Sequence, residues 1–217
     1  MTKTISIKTQ EIINTYTHLF GVGLSITALV VMIVRASLYG SAISIVSAAI
    51  FGASLIVMYL ASTLYHAAKN VRTKVKLNKF DHSAIYVLIA GTYTPFTIVT
   101  LQGGWGWSIF GVQWGLAIVG ILYKVFWYNP KYKAISAYAY IAMGVMMLIA
   151  IKPLYEVLPV GGLIWLGIGG IIYIVGVYFY LSKKIPLAHG IWHLFVLGGS
   201  IAHFIAIYEF VLPNLNL

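Results

Sequence analysis

The sequence predicts an all-α integral membrane protein. The expected architecture is a seven-transmembrane helix bundle with a cytoplasmic N-terminus and an external C-terminus. Three observations carry this. Of 217 residues, 61% are hydrophobic and only 8% are charged, against about 25% charged in soluble domains. Several apolar runs reach ~20 residues, enough to cross a ~30 Å hydrocarbon core at ~1.5 Å rise per residue. The basic residues crowd alternate gaps between those runs.

The elements follow in order. The first span is read at 16–34. Its apolar core is longer than a signal-peptide h-region and no A-x-A pattern follows it, so it is expected to remain in place. Leu38-Tyr39-Gly40-Ser41 ends it. The second span, 42–66, closes on Ser62 and His66. The third, 81–101, opens on Asp81. Gly91 and Pro95 within it are expected to kink the helix and make room for a lipid tail. Gln102-Gly103-Gly104 leads to the fourth, 107–127, where Gly111-x-x-x-Gly115 reads as a close-packing face. Asn129-Pro130 precedes the fifth, 135–151, and Leu158-Pro159 the sixth, 161–181. The glycines from Gly161 to Gly176 again favour close packing. Ile185-Pro186 introduces the seventh, 189–211. Trp105, Trp107, Trp127 and Tyr128 near span ends fit interfacial belts. With no linker, low-complexity tract or repeat, residues 1–217 read as a single domain.

Charge placement sets the expected orientation. Lys3, Lys8, Lys69, Arg72, Lys74, Lys76, Lys79, Lys124, Lys131, Lys133, Lys183 and Lys184 fall on one side of a seven-pass chain. Arg35 and Lys152 fall on the other. Twelve of the fourteen basic residues on one side mark it as cytoplasmic. The net charge of +10 therefore reflects topology and contact with anionic lipid headgroups, and no feature supports a nucleic-acid partner. The absence of cysteine excludes disulfides, thiolate metal ligands and a cysteine nucleophile.

Given that orientation, unusual polar residues from four helices gather at the cytoplasmic end. They are Glu11, Asn14 and His18; Ser62 and His66; Asp81; and His189 and His193. Residues four apart share a helix face, which pairs His189 with His193 and Ser62 with His66. Glu11, Asn14 and His18 fall on one stripe of about 60°. Imidazoles facing lipid are costly, so these stripes should point into the bundle. Two histidines at i and i+4 can ligate one ion. With His66 as a third ligand and an open fourth position, they follow the plan of a catalytic zinc site, although iron or copper also suits imidazole. Asp81 would then hold water or act as a base, and Ser62 would support it by a hydrogen bond. The plainer alternative is that the histidines bridge helices by hydrogen bonds alone. His203, ten residues beyond His193, lies ~15 Å away and reads as a satisfied core histidine, with a polar site lining a cavity as the alternative. His82 reads as interfacial, and Glu11, Asn14 and His18 as braces.

Taken together and in order, these motifs resemble the hemolysin III branch of the progestin and adiponectin Q receptor (PAQR) superfamily. The matching pieces are Glu11, Asn14 and His18; Ser62 with His66; Asp81; and His189 with His193. The resemblance implies that His66, His189 and His193 hold Zn2+ near the cytoplasmic face, with Asp81 and Ser62 as catalytic residues. It also implies ceramidase-like hydrolysis of lipid amides, a role in membrane lipid homeostasis and a place in the bacterial cell membrane. The chain lacks the long N-terminal region of the animal receptors, so adiponectin recognition does not carry over. Other functions remain open: a receptor or sensor with a structural zinc, a proton-relaying transporter, and the cytolytic pore that the family name suggests. A seven-helix membrane protein does not readily leave one bilayer for another, which ranks the pore lowest. Membrane lipids are the expected partners and one lipid the expected substrate.

Overall fold

The computed structural model describes residues 6–129, 131, 133–182 and 184–212. Lys3, Pro130 and Lys183, used above for orientation and for a chain break, lie outside the described residues. Among those described there is no strand, and seven helical spans are long and apolar enough to cross a membrane. The elements are α1 (Ile7–Tyr39), α2 (Ala42–Ala67), α3 (Val71–Pro95), α4 (Gly103–Phe126), α5 (Lys133–Gly144), α6 (Ile151–Val157), α7 (Val160–Leu181) and α8 (Ala188–Ala206). Together α5 and α6 form the fifth span, Lys133–Val157.

Three helix starts carry their own caps. The Ser6 hydroxyl accepts from the Thr9 amide, and Ser41 and Ser44 form a reciprocal capping box. The Asn70 side chain accepts from the Thr73 amide at 3.1 Å. Each cap satisfies an amide that the helix itself leaves unbonded. The Asn70 cap starts α3 ten residues before Asp81, so Arg72, Lys74, Lys76 and Lys79 lie on a helix and not in a loop. The α1 helix likewise starts at Ile7, well before the apolar run at 16. Apolar runs mark the hydrocarbon-crossing part of a helix, whereas caps mark its true end.

The fifth span departs most from a continuous helix. Between α5 and α6 the chain tightens to a 3-10 helix at Met146–Ala150. The Tyr93 hydroxyl, from α3, donates to the Gly144 carbonyl at 2.7 Å and accepts from the Met147 amide at 2.9 Å. The Gln113 amide, from α4, donates to the Met143 carbonyl at 2.8 Å. Side chains from neighbours thus satisfy backbone groups that the broken ladder releases, as a lipid setting requires.

Glycine roles differ from expectation. Gly111 and Gly115 face open space, whereas Gly120 of α4 lies against α3, beneath the Tyr86 ring. Gly91 lets α3 approach Ser54 of α2, and the α-helical winding ends at Pro95, where a π-helix continues over Phe96–Leu101. Gly169 and Gly176 of α7 do support close packing, against His203 and Trp192 of α8. The Trp105, Trp107 and Trp127 side chains project outward.

Helix α1 packs on α2 and α8, α2 on α3, and α7 on α8, while α5 touches both α3 and α7. These helices surround a cavity of about 440 Å³ with largely apolar walls. The polar residues of interest lie at the end of the bundle where α1 begins and α2 finishes.

Candidate metal centre

The candidate ligand set assembles from the first turns of α8 and the last turn of α2. His66, His189 and His193 each offer one ring nitrogen, and these atoms lie within 4.8 Å of one another. The Nε2 atoms of His66 and His189 are 3.2 Å apart. Two nitrogens bound to one tetrahedral zinc at ~2.0–2.1 Å would be separated by about 3.3 Å. Ring centroids stand 4.7–5.0 Å apart in all three pairs. Among the described residues this is the one group of three or more His, Cys, Asp or Glu side chains that could hold a metal ion.

The outward-facing ring nitrogens fix the tautomers. The His66 Nδ1–H donates to Glu11 Oε2 at 2.8 Å. The other Glu11 oxygen, Oε1, lies 3.0 Å from Lys74 Nζ. His193 Nδ1 meets the Thr17 hydroxyl at 3.1 Å. That hydroxyl directs its proton to the carbonyls of Ile13 and Asn14, at 2.9 and 3.0 Å. It is therefore the acceptor, and His193 donates through Nδ1. Both histidines keep an Nε2 lone pair for an ion. This is the arrangement that orients and strengthens imidazole ligands.

Helix α1 supplies the braces. The His18 ring stacks on His193, with centroids 3.6 Å apart and planes 13° from parallel. Tyr59 of α2 holds the His18 edge at 5.0 Å. Asn14 is buried beside them, and its Oδ1 makes no hydrogen bond. Glu11 acts by hydrogen bonding, and His18 by stacking.

Asp81 is buried on α3, and Ser62 is buried on α2. Ser62, Asp81, His189 and His193 all line the 440 Å³ cavity. His82 corrects an expectation: it is buried and lines the cavity, with its ring 5.3 Å from that of Tyr128. The early start of α3 carries both Asp81 and His82 away from the helix mouth. His203 lines the cavity farther along α8, where its Nε2–H donates to the Leu166 carbonyl at 3.2 Å. Its Nδ1 makes no hydrogen bond.

Sequence reading missed Thr17 and Lys74. A threonine in an apolar helix ordinarily bonds its own backbone, and Lys74 looks like one more topology charge. Neither carries a local signal of its role.

Comparison with known proteins adds to this geometry. Residues 6–204 match a family model described as Haemolysin-III related. The chain is 46% identical over 214 residues to Hemolysin-3 of Bacillus cereus, covering 99% of this chain and 97% of that protein. It is 50% identical over 198 residues to a Hemolysin-3 homolog of Bacillus subtilis (strain 168), covering 91% and 92%. Monocyte to macrophage differentiation factor of Homo sapiens is 30% identical over 204 residues, covering 91% of this chain and 83% of that protein.

Proposed function

The chain belongs to the haemolysin-III-related family of multi-pass membrane proteins, and from that premise we propose that it is a zinc-dependent hydrolase of lipid amide or ester bonds. One observation carries the proposal: three imidazoles, two of them with oriented tautomers, converge at one end of an apolar cavity that also holds a buried carboxylate. Zinc is the ion that three neutral imidazoles and an open fourth position suit best, and when bound it supplies Lewis acidity there.

The chain's own groups divide the remaining work. His66, His189 and His193 hold the ion. Asp81 lines the same cavity and is not required as a ligand, so it is free to take a proton. Ser62, on the wall of the same cavity, would donate to the Asp81 carboxylate and fix its direction. The cavity walls exclude water and accept an acyl chain. Leu148 near α5 and Ile171 of α7 line the cavity, yet each is 64% exposed on the outer surface. An acyl chain could enter between them from the lipid. The basic end of the bundle faces the cytoplasm in this reading. A reporter fused after Lys74 would read as cytoplasmic, and one fused after Gly104 as external.

The same bracing would also suit a structural zinc that staples α1, α2 and α8 in a receptor or sensor. Fatty-acid release from ceramides and bacterial amide lipids, measured with zinc content, separates the two. As a hydrolase, the wild type releases product. D81N keeps its zinc and loses about 10²–10⁴-fold in turnover, the usual contribution of proton transfer. Release no greater than that of the H189A variant on every lipid tested, from a folded and zinc-loaded wild type, would leave the structural reading standing.

A further inference from the structure

The far end of the cavity carries a polar group that the imidazole cluster does not use. His203 stands on α8 ten residues beyond His193, and the helix runs unbroken between them. At ~1.5 Å rise per residue the two positions are ~15 Å apart along the axis. That is about half of a ~30 Å hydrocarbon core, the reach of one acyl chain in one leaflet. Both residues line the same cavity. A lipid with its carbonyl at the cluster and its chain along the cavity therefore lays the distal part of that chain beside His203.

Hydrogen bonding at this end is closed except at one atom. The Tyr59 hydroxyl donates to Ser200 Oγ at 2.8 Å, and the Tyr173 hydroxyl lies 2.8 Å from the same oxygen. The His203 Nε2–H donates to the Leu166 carbonyl at 3.2 Å. The His203 ring packs on Gly169 of α7, with its centre 5.4 Å from that of Tyr173. A neutral imidazole that donates through one nitrogen keeps a lone pair on the other. That nitrogen, Nδ1, is buried and makes no hydrogen bond. Leu163 and Leu166 of α7 line the cavity nearby, and their side chains offer no donor. A buried acceptor left unpaired costs stability, and most such groups are paired. One held unpaired on a residue of a cavity wall suits a donor that arrives with the ligand.

We propose that His203 is a specificity-determining residue: its Nδ1 accepts a hydrogen bond from a hydroxyl carried on the distal half of the bound acyl chain. The substrate class is then a lipid amide or ester of a chain-hydroxylated fatty acid. Its standing as a substrate rests on the hydrolase reading, whereas the hydroxyl contact is a matter of binding and needs no turnover.

The test uses purified, zinc-loaded, full-length wild type, H203A and H203F in one detergent. Calorimetric titration compares three free acids: stearic acid and its derivatives hydroxylated at carbon two or at carbon twelve. With the carboxyl group at the imidazoles, an extended chain brings carbon twelve to the depth of His203 and leaves carbon two beside the cluster. The wild type should bind the carbon-twelve derivative about 5–10-fold more tightly than stearic acid, as one added hydrogen bond allows. The carbon-two derivative should show no such gain. H203F keeps a ring against Gly169 but has no lone pair, so the preference should vanish or invert as the hydroxyl goes unpaired. H203A should lose it too. In kcat/KM, amides of the three acids should follow the same order in the wild type. Equal wild-type affinity for stearic acid and its carbon-twelve derivative would overturn the proposal, and this comparison needs no variant to fold. A preference that persists in both H203A and H203F would overturn it as well. If the wild type selects the carbon-twelve hydroxyl but hydrolyses no lipid, the hydrolase reading fails and the His203 contact stands.

Discussion

His193 and His203 lie on the same helix, are both buried and both line the same cavity. Their surroundings differ. His193 stands among two further imidazoles, with Thr17 behind its Nδ1 and His18 stacked on its face. His203 meets one backbone carbonyl, the Tyr173 ring and the flat side of Gly169. Burial and residue type are shared, so neither marks a candidate ligand. Convergence of several helices does, together with a partner that directs the lone pair inward. His203 has spent Nε2–H on Leu166, and no second imidazole faces its other nitrogen.

Four variants sharpen or break this contrast. The largest effect is expected from the double variant H189A/H193A. Zinc should fall from about one per chain to background by elemental analysis, with a lowered thermal midpoint, because an ion that binds only the folded state stabilises it. Full zinc occupancy in that variant would break the contrast outright. E11Q comes next. It keeps the size of Glu11 but weakens the acceptor behind His66, and zinc affinity measured by chelator competition should fall about 10–100-fold. T17V removes a neutral acceptor behind His193, so the same competition should place it below E11Q in effect. The smallest change belongs to H203A. Zinc affinity should stay at the wild-type level, while the midpoint drops modestly from a lost hydrogen bond and a small cavity. A zinc loss in H203A as large as in E11Q would erase the distinction between the two histidines.

The legible parts of the molecule are those with a local cause. Apolar runs reveal seven spans because each crossing must be apolar along its own length. His66, His189 and His193 stand out because imidazole is rare in such runs. The hidden parts depend on distant residues. The start of α3 was obscured by Arg72, Lys74, Lys76 and Lys79, which read as loop charges although Asn70 caps a helix there. The break in the fifth span needs Tyr93 and Gln113, from two other helices, to hydrogen-bond its freed backbone groups. Nothing in Met143–Ala150 itself announces it. Glu11, Asn14 and His18 were recognisable as a stripe, but their separate duties depend on what α2 and α8 place opposite them. Lys124 looks like a flanking charge until its side chain is seen to be fully buried beside the Tyr128 ring.

The measurement that bears most directly on the account is zinc-edge X-ray absorption of protein purified without added metal, paired with elemental analysis. The account predicts about one zinc per chain, with three imidazole nitrogens at ~2.0–2.1 Å and one exchangeable oxygen donor completing a tetrahedron. Zinc far below one per chain, or a shell closed by four protein ligands, would contradict it.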